Sequence, residues 1–128
     1  HKIDSYYRKF NHEDCTMIKR WPSEIKLQGW FNQLLTNGYQ KSHIHPSGWI
    51  SGVMYLQTVS GENNDEGSIE LGLHGYNYPI IDSDYPKTIH NPREGDILLF
   101  PSSLFHRTLP FKKKLERCVI AFDLCPES

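Results

Sequence analysis

The chain has 128 residues, of which 38% are hydrophobic and 23% charged, and its formal net charge is −1. This length suits one domain with its own core, and the composition is that of a globular chain rather than a disordered or fibrous one. The small net charge gives no electrostatic reason to expect binding to nucleic acid or to an anionic membrane. No apolar run is long enough to span a bilayer, and no signal-peptide pattern begins the sequence.

The N-terminal part, residues 1–29, is predicted to form a short arm, helical or irregular, that packs on the rest of the chain. It is mostly polar with scattered aromatic anchors, and Pro22-Ser23 is typical of a turn or a helix start. The sequence begins at His1 rather than Met, which we interpret as a piece of a longer protein in preference to a tag remnant.

From Trp30 onward the sequence predicts about seven short β-strands, and residues 30–128 are expected to form the folded domain. Runs of β-branched and aromatic residues are divided by Gly, Pro and Asn. The predicted strands are residues 30–35, 39–45, 49–59, 68–73, 89–92, 97–100 and 116–124. Asn37-Gly38 predicts a tight turn that joins the first two strands as a hairpin. Short strands at this spacing predict an all-β sandwich or barrel.

Three cysteines, Cys15, Cys118 and Cys125, are an odd number without a CxxC pair. This pattern argues against a disulfide framework and against a zinc ribbon. We therefore expect reduced thiols in a cytoplasmic protein.

Two histidines, His43 and His45, are spaced so that they point to one face of a strand and can converge on one cation. His106 follows a predicted buried strand, where a third ligand can be directed inward. These three residues form the candidate metal site. Alone, the His-x-His pattern is as typical of ordinary histidines as of a ligand pair. The sequence does not show the acceptors that metal-binding histidines need on their other ring nitrogen.

Arg117 lies in an otherwise apolar predicted strand, where an arginine is rarely buried without a partner. One interpretation is an arginine at the rim, in an ion pair with Glu116 or Asp123. The other is a buried guanidinium that binds a ligand carboxylate through two parallel hydrogen bonds.

Taken together, these motifs resemble the 2-oxoglutarate/Fe(II)-dependent oxygenases, in particular oxygenase domains of phage and bacterial proteins, some fused after tetratricopeptide repeats. The similar segments are His43-Ile-His-Pro-Ser-Gly-Trp-Ile-Ser-Gly-Val-Met-Tyr-Leu, Gly95-Asp-Ile-Leu-Leu-Phe-Pro-Ser, His106-Arg-Thr-Leu-Pro-Phe and Arg117 through Asp123. The resemblance runs from about Trp30 to Asp123. It implies a double-stranded β-helix, the jelly-roll fold that cupins share.

The resemblance also implies Fe(II) bound by His43, His45 and His106, and the distal carboxylate of 2-oxoglutarate bound by Arg117. Tyr55 and Ser102 are further candidates for hydrogen bonds to 2-oxoglutarate, and Gln40 and Asn32 are candidates for the pocket wall. All four are explained equally well as ordinary polar residues of a sheet.

The implied reaction is that of a hydroxylase, which couples oxidative decarboxylation of 2-oxoglutarate to succinate and CO2 with oxidation of a substrate by O2. Ascorbate is an expected stimulant. The substrate is unidentified: a peptide or prolyl side chain is one candidate and a small molecule is the other. Trp49 and the long aromatic connection at residues 74–88 are expected at the substrate opening. The implied setting is the cytoplasm of a bacterium, or a phage-encoded protein.

One feature departs from the usual motif, which is His-x-Asp or His-x-Glu and gives iron two histidines and one carboxylate. Here His45 stands at the carboxylate position, so an all-histidine site would be one unit more positive. The 2-oxoglutarate dianion can offset this charge. Alternatively, an acid such as Asp84 in the long connection completes the ligand set.

Two other functions remain open from the sequence. A cupin-like metal-dependent dioxygenase or isomerase without 2-oxoglutarate also fits His-x-His followed by a distant histidine. However, residues 46–50 lack the glutamate that cupins usually carry there, and Arg117 has no role in such a protein. The third function is a non-catalytic β-sandwich binding module whose histidines only pack.

Overall fold

The computed structural model describes residues 2–59 and 64–127, in which two helices precede eight strands. The helices are α1 (Lys2–Phe10) and α2 (Thr16–Lys19). The strands are β1 (Ile25–Leu34), β2 (Gln40–His43), β3 (Ile50–Gln57), β4 (Ile69–Gly72), β5 (Lys87–His90), β6 (Ile97–Pro101), β7 (Phe105–Thr108) and β8 (Arg117–Pro126). The prediction of an all-β domain after a short helical arm is confirmed.

The described strands form two antiparallel sheets of four. The first sheet has the order β1-β8-β3-β6 and the second the order β2-β7-β4-β5. Successive strands mostly alternate between the sheets, so the connections cross from one layer of the sandwich to the other. This connectivity is that of a jelly roll, as the resemblance implies.

The core lies between the two sheets. Its buried apolar cluster consists of Val53, Tyr55, Phe100 and Val119 from the first sheet and Ile69 from the second. Side chains alternate between the faces of a strand, so the register that buries Val119 in β8 also turns Arg117 and Asp123 inward. Both charged residues are buried. The fold thus places a guanidinium and a carboxylate inside the sandwich.

The predicted hairpin between the first two strands is wrong, because β1 pairs with β8 and β2 pairs with β7. The turn itself does form: Asn37 has a φ of 64°, and the Gly38 N–H donates to the Leu35 carbonyl at 2.7 Å. The Asn37 N–H donates to the Phe111 carbonyl at 2.8 Å, and the chain crosses there between the sheets. A turn dipeptide determines local conformation only, and it does not determine which strands pair.

Several strand limits also differ from the prediction, and one observed strand is absent from it. β1 begins at Ile25 rather than Trp30, since it pairs with β8 along ten residues. β2 ends at His43, so His45 lies beyond the strand rather than on it. β7, which contains His106, is not among the predicted strands, because four residues give too short a run for an alternation pattern.

The N-terminal arm is attached through aromatic packing. The Trp21 ring lies 4.5 Å from the Tyr7 ring and 4.3 Å from the Trp49 ring, between centroids. Trp49, expected at the substrate opening, therefore packs against the arm. No helix of residues 2–59 and 64–127 combines the length and apolar character needed to cross a membrane.

Candidate metal centre

Three histidines meet inside the sandwich. His43 ends β2 directly opposite His106 of β7 in the antiparallel ladder, and His45 follows two residues later. The candidate ligand atoms of the three side chains all lie within 4.8 Å of one another. His106 is 6% exposed and the other two are partly buried. The structure thus brings all three sequence-predicted metal ligands together.

Each of these rings has its Nδ1 next to an oxygen acceptor. The partners are the Lys41 carbonyl for His43 at 2.7 Å, the Leu104 carbonyl for His106 at 3.1 Å, and the Asp123 carboxylate for His45 at 2.7 Å. Carbonyl and carboxylate oxygens only accept hydrogen bonds, so they favour the tautomer with the proton on Nδ1. The Nε2 lone pairs then remain free. Metal-binding histidines in proteins are oriented in this way.

The environment of His106 favours its neutral form. Burial lowers the pKa of this imidazole to about 4, and the nearby His43 and His45 act in the same direction. The Leu104 carbonyl and Asp123 act in the opposite direction with a smaller effect. A neutral imidazole is the form that binds a metal ion, so His106 needs no deprotonation at neutral pH.

The geometry favours His45 over Asp84 as the third ligand. The ring of His45 lies 5.2 Å from that of His43 and 4.9 Å from that of His106, between centroids. Asp84 is exposed in the long connection, where its N–H donates to the side chain of Asp82. Within the described ranges it does not join the histidine cluster.

Arg117 is buried without a hydrogen-bond partner for two of its nitrogens. The residue is 2% exposed, and among the described residues neither Nε nor Nη1 finds an acceptor. Its guanidinium carbon lies 5.3 Å from the centroid of the Tyr55 ring, and the Tyr55 hydroxyl also has no partner there. The interpretation of Arg117 as a rim residue paired with Glu116 or Asp123 is therefore wrong. Unpaired buried donors of a cation are costly, so this pocket suits an anion.

Burial affects the ionisation of both groups in this pocket. It lowers the pKa of the Arg117 guanidinium, an effect that the neighbouring Tyr55 partly offsets. It raises the pKa of the Tyr55 phenol, which Arg117 in turn opposes. Arginine remains protonated in proteins, so the pocket presents a positive charge and a neutral hydroxyl.

One narrow cavity connects the histidines with Arg117. It is lined by the three histidines, by Arg117 and by polar and aromatic side chains that include Trp30, Asn32, Gln40 and Thr108. The Thr108 hydroxyl donates to Gln40 Oε1 at 3.3 Å across the β2–β7 pair. Asn32 and Gln40, two of the candidate pocket residues, both line this cavity. Ser102 does not line this cavity, whereas Trp30 and Thr108 do and were not among the candidate pocket residues.

A buried polar network lies behind His45. The His45 Nδ1–H points at both oxygens of Asp123, at 2.7 and 2.9 Å, and Ser51 Oγ donates to Asp123 Oδ1 at 2.6 Å. The hydroxyls of Ser51 and Ser102 lie 2.8 Å apart. The main-chain N–H of His45 donates to the Ser102 carbonyl at 3.0 Å. From the sequence, Ser102 was a candidate contact of 2-oxoglutarate and Asp123 only a candidate ion-pair partner of Arg117, so the contact of Asp123 with His45 was missed.

Gly48 allows this network to pack against the turn after His45. A Cβ at this position would lie 2.5 Å from Ser102 Oγ and 3.3 Å from Asp123 Cγ. Ser102 is fully buried and cannot move aside into solvent. We therefore expect Gly48→Ala to lower the free energy of unfolding by about 1–3 kcal/mol through overpacking. Urea unfolding measures this, with Gly29→Ala as the control, since a Cβ there has ordinary contacts of 3.5 Å and longer. Equal midpoints for Gly48→Ala and wild type would contradict the packing described.

Comparison with protein families gives one match, to a family described as "Putative 2OG-Fe(II) oxygenase", over residues 28–123. The match therefore includes the three histidines, Arg117 and Asp123. No curated protein matches the sequence at a significant level.

Solved structures share the fold at low sequence identity. A prolyl-4-hydroxylase from Pseudomonas putida superposes with a TM-score of 0.65 at 16% identity, covering 98% of this chain and 63% of that one. HygX from Streptomyces hygroscopicus, with nickel and 2-oxoglutarate bound, gives 0.60 at 16% identity, covering 95% and 67%. A 2OG-Fe(II) oxygenase family oxidoreductase from Burkholderia pseudomallei gives 0.62 at 16%, covering 93% and 51%. The chain thus spans about half to two thirds of the length of these proteins.

Proposed function

Because the chain belongs to the 2OG-Fe(II) oxygenase family, we propose that it is an Fe(II)- and 2-oxoglutarate-dependent oxygenase of the hydroxylase type. His43, His45 and His106 would hold Fe(II), and Arg117 would bind the distal carboxylate of 2-oxoglutarate. The observation that carries this proposal is the buried guanidinium of Arg117, whose Nε and Nη1 have no partner among the described residues, in the same cavity as the three histidines.

The residues present suit the metal. Neutral imidazole binds ferrous iron well, and the three Nε2 atoms are left free by acceptors on each Nδ1. Three protein ligands leave further coordination positions for a co-substrate and for O2. A closed structural site would use four protein ligands instead.

The residues present also suit 2-oxoglutarate. This molecule carries a carboxylate at each end, so one end can bind the metal while the other meets a cation deeper in the sandwich. Arg117 offers the cation, and the Tyr55 hydroxyl beside it offers one more donor. A carboxylate on these donors would remove the cost of leaving them unpaired.

Fe(II), when bound, supplies the activation of O2, so that 2-oxoglutarate, O2 and a substrate C–H give succinate, CO2 and a substrate C–OH. Arg117 orients the co-substrate from its distal end. The histidines fix the metal against the β2–β7 pair, and the apolar core next to the cavity excludes water. The Trp30 ring lines the same cavity, 5.5 Å from that of His45, and is 40% exposed.

The proposed substrate opening is assigned to the long connection at residues 74–88. Tyr76, Tyr78 and Ile81 in this segment are exposed, and the Tyr76 N–H donates to the Ser42 carbonyl next to His43 at 3.4 Å. We assign these side chains to the substrate opening. Prolyl peptides and small molecules are the two candidate classes, since similar structures include both a prolyl-4-hydroxylase and HygX with hygromycin B bound. The three cysteines are free thiols, which suits the reducing cytoplasm of a bacterium.

The experiment that tests this proposal measures co-substrate use directly. With Fe(II), ascorbate and O2, we expect wild-type protein to convert 2-oxoglutarate to equal amounts of succinate and CO2, and to stop when Fe(II) is omitted. Some oxygenases are idle without substrate, so a second measurement decides. Calorimetry on Mn(II)-loaded protein without O2 should show 2-oxoglutarate binding that requires the metal. Metal binding without any 2-oxoglutarate binding would overturn the proposal and favour a cupin-like protein.

A further inference from the structure

The three candidate metal ligands include no carboxylate, but the Asp123 carboxylate lies next to Nδ1 of one of them, His45, at 2.7 Å. We propose that Asp123 is a positioning residue of the metal centre, which holds His45 by its Nδ1 and supplies the negative charge missing from an all-histidine site. This inference rests on the metal site of the proposed function, and it adds a role for a residue outside the ligand set.

Asp123 is a buried carboxylate, which a nearby cation would stabilise. The residue is 6% exposed, and its described hydrogen bonds come from His45 and Ser51, which are both neutral donors when the imidazole is neutral. Burying a carboxylate without a cationic partner costs several kcal/mol. Arg117, on the same face of β8, leaves two donors unpaired rather than reaching this carboxylate. A metal ion on Nε2 of His45 would place the required positive charge across one imidazole ring.

The charge balance then equals that of the usual ligand set. Fe(II) with two neutral histidines and one carboxylate has a net charge of +1, whereas Fe(II) with three neutral histidines has +2. Adding Asp123 returns the total to +1, with the negative charge one ring further from the metal. A carboxylate on the second nitrogen of a histidine ligand makes that ligand more basic and fixes its orientation. The pair of His45 and Asp123 can therefore supply the same total charge as the usual carboxylate ligand, although the carboxylate itself would not contact the metal.

The surroundings hold this pair rigidly. Ser51 and Ser102 are 1% and 0% exposed, and they connect the Asp123 carboxylate with the segment that precedes β7. The His45 main chain is fixed separately by its bond to the Ser102 carbonyl. Both the ring and the backbone of His45 are thus anchored to one buried network. An ion pair on the surface would not need such support.

Asp123→Asn tests the charge separately from the geometry. The amide oxygen can still accept the proton of His45 Nδ1, so the ring stays in place while the negative charge is lost. We expect Fe(II) affinity, measured without O2 or 2-oxoglutarate by competition with a chelator, to fall about 10- to 100-fold. We also expect the Fe(III)/Fe(II) midpoint potential to rise, because the ferric ion loses more stabilisation than the ferrous ion.

The matched control is Asp84→Asn, which removes a carboxylate from the exposed connection and should change neither quantity. Ser51→Ala gives an independent test should Asp123→Asn fail to fold. This change removes one hydrogen-bond donor to Asp123 and keeps the negative charge of the carboxylate. The carboxylate then binds the His45 Nδ1–H more strongly, so the Fe(III)/Fe(II) midpoint potential should fall. Folded Asp123→Asn with wild-type affinity and potential would overturn the inference, as would an unchanged potential in Ser51→Ala. Neither measurement uses 2-oxoglutarate, so failure here is distinguishable from failure of the proposed oxygenase activity.

Discussion

Replacing Arg117 by methionine is expected to weaken 2-oxoglutarate binding by at least a factor of about 100. The proposed carboxylate–guanidinium contact consists of two charge-assisted hydrogen bonds, each contributing about 1.5–3 kcal/mol. Every 1.4 kcal/mol corresponds to a tenfold change in affinity, so losing both bonds removes about two to four orders of magnitude. Calorimetry on the Mn(II)-loaded protein measures the loss, and the metal affinity itself should not change.

The same variant should be more stable than wild type when no co-substrate is present. Nε and Nη1 of Arg117 have no partner in the described structure, and methionine fills similar space without a charge. Replacing a poorly compensated buried charge by an apolar side chain is neutral or stabilising by roughly 1–4 kcal/mol. Thermal unfolding should therefore give a higher midpoint for Arg117→Met than for wild type, whereas 2-oxoglutarate with metal should raise the midpoint of wild type only.

Arg107→Met is the control, since this arginine lies on the outer face of β7 and forms an ion pair with Glu70 at 2.8 Å. It removes one guanidinium at the residue next to His106, the proposed metal ligand, and leaves the cavity lining unchanged. We expect wild-type 2-oxoglutarate affinity from it. If Arg117→Met bound 2-oxoglutarate as wild type does, the proposed anion site would be wrong.

The sequence was informative about the fold where runs of β-formers are long. β3 and β8 were predicted close to their observed limits, because both contain long runs rich in β-forming residues. β7 was missed because it has only four residues, and its pairing with β2 depends on contacts across more than sixty positions. The pairing of β1 with β8 is likewise long-range, and a local turn signal at Asn37-Gly38 pointed to the wrong partner.

The residues of the candidate site could be predicted from the sequence, but the hydrogen-bond acceptors that orient them could not. His43 and His45 could be named from their spacing, His106 from its place after a buried strand, and Arg117 because an arginine is unusual in an apolar strand. The acceptors on His43 and His106 are main-chain carbonyls, which leave no trace in a sequence. Asp123 was visible as an inward position of β8, but its contact with His45 joins residues 78 positions apart. Only the fold determines such a contact.

Replacing His106 by leucine is expected to abolish the proposed metal site while preserving the fold. Leucine has a similar volume and can still pack against Phe100, whose ring lies 4.7 Å from the imidazole. Since His106 is buried and neutral, we expect a stability change of less than about 1.5 kcal/mol. Fe(II) affinity should fall by more than the roughly 10- to 100-fold expected when only a supporting residue of a ligand is changed. Succinate formation should disappear with it.

The control for His106→Leu is His12→Leu, which removes a histidine that is exposed near the end of α1 and next to Glu13. Chelator competition and succinate formation on both variants separate loss of the site from a general effect of removing imidazole. If His106→Leu kept wild-type Fe(II) affinity, the cluster of three histidines would not be the metal site. In that case the unpaired Arg117 would remain an anion site with no metal to explain its position, and the oxygenase proposal would fail for this chain. The expected result, loss of metal in His106→Leu alone, would instead identify the three histidines as the metal site that the proposed oxygenase activity requires.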